Sequence, residues 1–223
     1  MILIQPMQEK VFWNTIDKFA QLDLLKHIVI IGSWAEYLYH KAGILPGFSP
    51  NLRTMDMDAV LNNIRRPVPN VNISEEMKKL GYQITVRTID GLVKFTHPDQ
   101  LELEIMVLEK GRGQSAPYDV TTLGIKATGL RLSLLTENTL CLNLSGSEIL
   151  VPTPQAYILH KLEIDRGNAA KEQKDMDAVR EILRVIKLMP SEKQKLLELF
   201  DSLNKKSKSK IKEKCSVHHF ELF

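Results

Sequence analysis

The segment His27-Ile-Val-Ile-Ile-Gly-Ser33 limits the folds open to this chain more than any other stretch. It reads as a short buried strand that ends in Gly-Ser, after which Ser33 through His40 (with Trp34, Leu38 and Tyr39) resumes a helical period. Gly32 lets the backbone turn sharply after the strand, and the amides that follow open a helix whose positive end can hold phosphates. The Ser33 hydroxyl can donate to a β- or γ-phosphate oxygen.

Further along, Leu52 to Leu61 places Met55 and Met57 between Asp56 and Asp58 and runs into Ala59-Val60-Leu61, which suits a strand. Residues two apart on a strand share a face, so Asp56 and Asp58 can chelate together. A third strand alternates cleanly, with Leu101, Leu103, Ile105 and Val107 opposite Glu102, Glu104 and Met106. Glu104 and Glu102 share one face of it, and either could complete a set of three carboxylates. Two divalent ions held about 3.5–4 Å apart can grip a triphosphate and activate an attacking hydroxyl. Mg²⁺, or Mn²⁺ in its place, needs only a few carboxylates because it keeps several waters.

Around these pieces the pattern is that of an α/β (α+β) chain. Residues 8–27 carry apolar side chains at helical spacing, Gly43 to Pro50 is turn-rich, Pro67 to Pro69 marks a loop, and Ser74 to Gly81 has the cap and stop of a short helix. Strands are expected over 82–88, 92–96 and 101–108, a loop over 111–117, and a small helix over 123–136 with a strand or two down to Val151. From Pro154 onward the pattern is helical: 156–166, 171–187 and 191–203. The chain is accordingly divided into a core over 1–151, a helical domain over 152–204 and a basic tail over 205–223 read as solvated.

Composition excludes little but is consistent. With 43% hydrophobic and 26% charged residues and a net charge of +3, the chain has a normal globular balance and no strong pull on polyanions. No stretch approaches the ~18–20 apolar residues of a membrane span. The opening residues lack the features of a signal peptide. Two distant cysteines, Cys141 and Cys215, argue against a disulfide framework, so a cytoplasmic setting is expected.

The order strand, Gly-Ser, helix, D-x-D strand, carboxylate strand resembles the nucleotidyltransferase superfamily of DNA polymerase beta. Gly32-Ser-Trp-Ala-Glu-Tyr-Leu-Tyr39 and Arg53-Thr-Met-Asp-Met-Asp58 are similar to a bacterial family of nucleotidyltransferase-fold proteins. Val93-Lys-Phe-Thr-His-Pro98 and Leu103-Glu-Ile-Met106 match two further stretches of it. So does the block running from Pro152 through His160-Lys161-Leu162 and Arg166 to Lys171-Glu-Gln-Lys-Asp175. Lys161 and Arg166, followed by Asp175 or Asp177, also resemble the K-x4-R and acidic elements of AbiE-type toxin nucleotidyltransferases, whereas Trp34 departs from the toxins.

The resemblance implies a mixed sheet flanked by helices, with a C-terminal helical domain closing over the site. It implies Mg²⁺-dependent transfer of a nucleoside monophosphate from a nucleoside triphosphate to a hydroxyl, with Asp56, Asp58 and Glu104 as metal ligands. Lys161 and Arg166 would stabilise charge on the transferred group. Gly32, Ser33, Arg53, Thr54, Lys174 and Asp175 would bind the nucleotide. RNA or tRNA, a protein side chain or a small molecule are candidate acceptors; an antitoxin partner belongs to the toxin-like case, and oligomeric state is open. The alternative is a non-catalytic nucleotide- or RNA-binding module.

Blander roles stand beside these. Trp34 suits the core, and His40 and His97 suit turns. His160 borders the interdomain face, and Lys161 and Arg166 could pair with Glu163 or Asp165 on a helix surface. Arg53 and Thr54 could pin a strand to its loop, and Gly111-Arg-Gly113 could be an inert turn. Lys171, Lys174, Asp175 and Asp177 could be a charged helix face, and Cys215, His218 and His219 a flexible end.

Overall fold

The computed structural model describes residues 4–50, 55–62, 69–109, 116–131 and 133–222. Arg53, Thr54, Pro67 and Gly111-Arg-Gly113 lie outside the described residues.

The chain opens with helix α1 (Pro6–Gln21), which buries Val11, Phe12, Ile16 and Phe19 along one stripe. Strand β1 (Ile28–Ile31) is buried along its whole length, which is why it reads as an uninterrupted apolar run. It turns at Gly32 into α2 (Ser33–Lys41). Strand β2 (Asp56–Leu61) runs antiparallel to β1, with Ile31 opposite Asp58. Helix α3 (Ile73–Lys79) starts one residue earlier than the Ser74 reading, because the Asn72 side chain accepts from the Glu75 amide as the cap.

Strands β3 (Gln83–Val86), β4 (Val93–His97) and β5 (Leu101–Leu108) follow as an antiparallel meander. The expected helix at 123–136 is instead mostly strand. β6 (Tyr118–Val120) and β7 (Ile125–Leu130) form a hairpin, and only α4 (Leu134–Glu137) is helical. Pairing explains the difference: β7 lies parallel to the second half of β5, and its ladder bonds override a weak local preference. The hairpin of β8 (Thr139–Leu144) and β9 (Ser147–Pro152) then inserts β9 parallel to β1.

Among the described residues nine strands join, with the main path ordered β3-β4-β5-β2-β1-β9-β8 and β6–β7 branching from β5. This is a mixed sheet flanked by helices. One face packs against the aromatic cluster of α1 and α2, where Trp34 is fully buried and stacks on Phe12 at 4.1 Å between centroids. The opposite face carries a small cluster of Val29, Ile31, Val60 and Leu135. Beside it sit the polar ends of β2 and β5.

After β9 come α5 (Pro154–Glu163), α6 (Ala169–Ile186), α7 (Pro190–Ser202) and α8 (Lys205–Val217). The main apolar cluster runs continuously from α1 into these helices. The segment expected to be a solvated tail is a helix that packs on α5. Asn204 caps it, and Ser207, Ile211 and Cys215, spaced one turn apart, are buried. Three of its six lysines pair with acids: Lys208 with Asp201, Lys210 with Asp165, Lys214 with Glu172. His218 stacks on Phe220, so this end is packed. No helix among the described residues is long and apolar enough to cross a membrane.

Because Ile211 is wholly buried, Ile211→Ala should cost about 2–5 kcal/mol in urea denaturation. A solvated tail would give no measurable change.

Candidate active site

The site lies where β1 and β9 end and where β2 and β5 begin. Strands β2 and β5 are parallel and in register, with Asp56 beside Glu102 and Asp58 beside Glu104. All four carboxylates therefore share the sheet face opposite the main core, a placement that alternation on single strands could only suggest. Burial first, and then the neighbouring Glu104 and Asp56, push the Asp58 carboxyl up to about 6, against the pull of Lys161 and Arg166. Glu104 is thus the β5 carboxylate electrically coupled to Asp58. Thr128, on the strand that was expected to be a helix, donates a 2.7 Å hydrogen bond to Glu104 Oε1 and holds it from the other side.

Gly32 is required here for two reasons. Its φ of +66° and ψ of −153° belong to a region that side chains rarely adopt. A Cβ at this position would also stand 2.6 Å from Asp58 Oδ2. The turn out of β1 therefore lies against the D-x-D carboxylate. Ser33, buried at the start of α2, faces the same cleft.

The opposite wall comes from α5 and α6. Lys161 and Asp175 form a buried pair at 2.6 Å, and Arg166 Nε donates to the other Asp175 oxygen at 2.5 Å. Burial pushes the Asp175 carboxyl up, but Lys161 and Arg166 outweigh it and hold it below the usual range. Burial lowers the Lys161 ammonium, with Asp175 working against that effect. The surface pairing with Glu163 or Asp165 does not form: Glu163 accepts from Ser207 and Asp165 pairs with Lys210. Of the two acidic candidates Asp175 takes part, while Asp177 pairs with Arg180 on the exposed side. Lys171 and Lys174 line the cleft with them. His40 and His97 instead bond the backbone carbonyls of Phe48 and Leu80.

A second buried group was not anticipated. Glu36, on α2, is only 4% exposed and accepts a 2.5 Å hydrogen bond from the Tyr157 hydroxyl. The Tyr157 ring lies 5.2 Å from Lys161 Nζ. Helix α2 is thus tied to the cation wall by Glu36, Tyr157 and Lys161. Its only sequence signal was a lone acid within an aromatic helix, with its partner 121 residues away.

These walls enclose a cleft of about 580 Å³, a normal size for a small-ligand site. Among the described residues, no three His, Cys, Asp or Glu side chains form a ready-made metal cage. Mg²⁺ is commonly held by one or two carboxylates together with water and substrate phosphates, and Asp58 and Glu104, side by side in register, offer such a pair. Burial raises Asp58 first and the neighbouring Glu104 and Asp56 add to it; a bound cation would relieve the repulsion from those two.

Carboxylates on one face of two interior strands, with the buried Lys161 and the exposed Arg166 across a cleft, form a site suited to moving a phosphate-linked group. Residues 12–201 match the family described as Nucleotidyltransferase, and the chain belongs to that family of enzymes. No curated protein matches the sequence. Among solved structures, the chain is similar to an antigenic nucleotidyltransferase-like protein from Paracoccidioides brasiliensis. The identity is 19%, covering 95% of this chain and 96% of that one, with a TM-score of 0.46. It is also similar to the lincomycin-bound lincosamide antibiotic adenylyltransferase LnuA, at 13% identity over 78% and 97% of the two chains, with a TM-score of 0.46.

Two outcomes are expected. Gly32→Ala should destabilise the fold by about 1–3 kcal/mol in urea denaturation, because strain and contact with Asp58 act together. Burial pushes Glu36 up to about 7, against the Tyr157 hydrogen bond, Lys161 and Lys174, and with Asp175. A carboxyl raised in the fold stabilises it while protonated, so this contribution is lost as pH rises from the ordinary carboxyl range through about 7. Glu36→Gln stays neutral, so its melting temperature should gain on the wild type between pH 5.5 and 8. A flat difference would contradict the burial of an ionising Glu36.

Proposed function

We propose that this nucleotidyltransferase moves a nucleoside monophosphate from a nucleoside triphosphate to a hydroxyl acceptor in a Mg²⁺-dependent reaction. The observation that carries the reading is the alignment of Asp58 with Glu104, against Gly32 and facing Lys161–Asp175–Arg166 across one cleft. Asp56, Asp58 and Glu104 would hold Mg²⁺, or Mn²⁺ in its place; when bound it supplies charge neutralisation for the triphosphate and a more acidic acceptor hydroxyl.

The chain's own groups divide the remaining work. Ser33 and the first amides of α2 receive the outer phosphates. Glu104, oriented by Thr128, takes the proton of the acceptor hydroxyl. That oxygen then bonds to the α-phosphorus, and the bond from the α-phosphorus to the bridging oxygen breaks, so pyrophosphate leaves. Lys161 and Arg166 face the charge that develops on the transferred group, and Asp175 fixes both of them in place. Lys171 and Lys174 add positive charge along the same wall. Arg53 and Thr54 remain proposed at the triphosphate entrance.

The acceptor is proposed from chemistry alone. The toxin-like Lys161, Arg166 and Asp175 support an RNA acceptor, a tRNA end first, and an antitoxin partner in that case. Three of the six lysines of α8 are ion-paired, which weakens that helix as a basic surface for RNA, so protein and small-molecule hydroxyls stand beside it.

Wild-type protein should gain thermal stability from an NTP with Mg²⁺ and should transfer α-label from one of the four NTPs to an RNA, protein or small-molecule fraction. Asp58→Ala should lose the Mg²⁺-dependent gain and at least about 100-fold of the transfer. Stabilisation by NTP that is unchanged in Asp58→Ala would remove the D-x-D from the site.

A further inference from the structure

Arg166 reaches the cleft from a short link, residues 164–168, between the C-terminal end of α5 and the start of α6. Residues 165–168 are exposed, and a short exposed connection has few contacts of its own to keep it in one conformation. The bond to Asp175 fixes the guanidinium, whereas the main chain that presents it is gripped from α8.

Three side chains along one face of α8 take hold of the three residues before Arg166. Ser207 Oγ donates to Glu163 Oε1 at 2.6 Å, Lys210 Nζ to Asp165 Oδ2 at 2.8 Å, and Lys214 Nζ to the Ile164 carbonyl at 2.6 Å. Steps of three and four residues put them in one row on the helix. Lys214 does more than its neighbours. Its side chain is 12% exposed and also pairs at 3.4 Å with Glu172, in the first turn of α6, which His218 Nε2 approaches at 3.7 Å. The ammonium therefore stands between the carbonyl end of α5, where a cation is favoured, and the acidic first turn of α6. It joins both ends of the link.

Docking of α8 is explained by its buried Ile211 and Cys215. An ion pair as exposed as Lys210–Asp165 adds little stability. What the row determines is the place of residues 163–165, and with them the point from which Arg166 extends. Moving a group that faces developing charge by about 1 Å can cost on the order of 100-fold in rate. These contacts thus have a larger lever on catalysis than on folding.

We infer that Lys214, with Ser207 and Lys210, is a positioning residue for the transfer reaction: α8 braces the link between α5 and α6 and so sets where Arg166 stands. This rests on the nucleotidyltransfer reading above, in which Arg166 faces the transferred group. The lysines in this row act inward, on the protein's own cation wall.

The test is the rate of α-label transfer from NTP with Mg²⁺ by the wild type, Lys214→Met, Lys214→Arg, Arg166→Ala and the double variant Lys214→Met with Arg166→Ala. Lys214→Met should lower kcat about 10-fold and leave the NTP KM within about twofold, because Arg166 meets charge that develops after binding. Lys214→Arg keeps a donor and should retain most of the rate. In the Arg166→Ala background the same Lys214→Met change should lower kcat no further, since the residue it acts through is gone. Amide hydrogen exchange over residues 164–168 should quicken in Lys214→Met. If that variant folds poorly by circular dichroism, Lys210→Met, at a more exposed side chain, takes its place in every comparison. An equal loss in both backgrounds, an unchanged kcat in the folded variant, or unchanged exchange overturns the brace and leaves the reaction standing. A wild type that transfers label from none of the four NTPs overturns the reaction and the brace together.

Discussion

The contact of Asp58 with Gly32 is the constraint on which the site depends. A carboxylate packed against this turn leaves no room for a side chain there, and the φ of +66° disfavours one independently. The antiparallel pairing of β1 with β2 sets Ile31 opposite Asp58, and the parallel pairing of β2 with β5 sets Glu104 beside it. Three strands of different sequence separation thus converge on one oxygen cluster. Burial, with Glu104 and Asp56 beside it, raises the cost of ionising Asp58.

Across the cleft the charge problem is solved in the opposite way. Lys161 and Asp175 are both buried, and an isolated charge in either position would be strongly destabilising. Asp175 is shared between Lys161 and Arg166, so the trio carries a net positive charge. Tyr157 and Glu36 extend this trio to α2. The wall that would receive the transferred group and the helix that would receive the outer phosphates are consequently joined by side-chain contacts, besides sitting on the same sheet.

Local patterns in the sequence made part of this legible. Gly32-Ser33 and Asp56-x-Asp58 stand out because a tight turn and a two-residue period are written in neighbouring residues. Alternation placed Glu102 and Glu104 on one face but could not say which aspartate each meets, since strand register is a long-range property; the pairing sets Glu104 beside Asp58 and Glu102 beside Asp56. Thr128 was hidden because Ile125–Leu130 acquires its strand identity from β5 and β6. Glu36 and Tyr157 were hidden for a similar reason. Helix α8 was legible in principle: Ser207, Ile211 and Cys215 recur every four residues, but the lysine content concealed so narrow a buried stripe.

The position of β9 has a consequence for synthesis of the chain. It pairs parallel to β1, next to the Gly32 turn, and leads directly into α5 and Lys161. Every carboxylate of the cluster leaves the ribosome before this strand does, yet the half of the cleft that would neutralise a triphosphate does not exist until β9 has docked and Asp175 has emerged. Between the emergence of Glu104 and that of Lys161 and Asp175, a nascent chain therefore displays the acids without their opposing cations. The cleft is electrostatically incomplete until that second wall is in place.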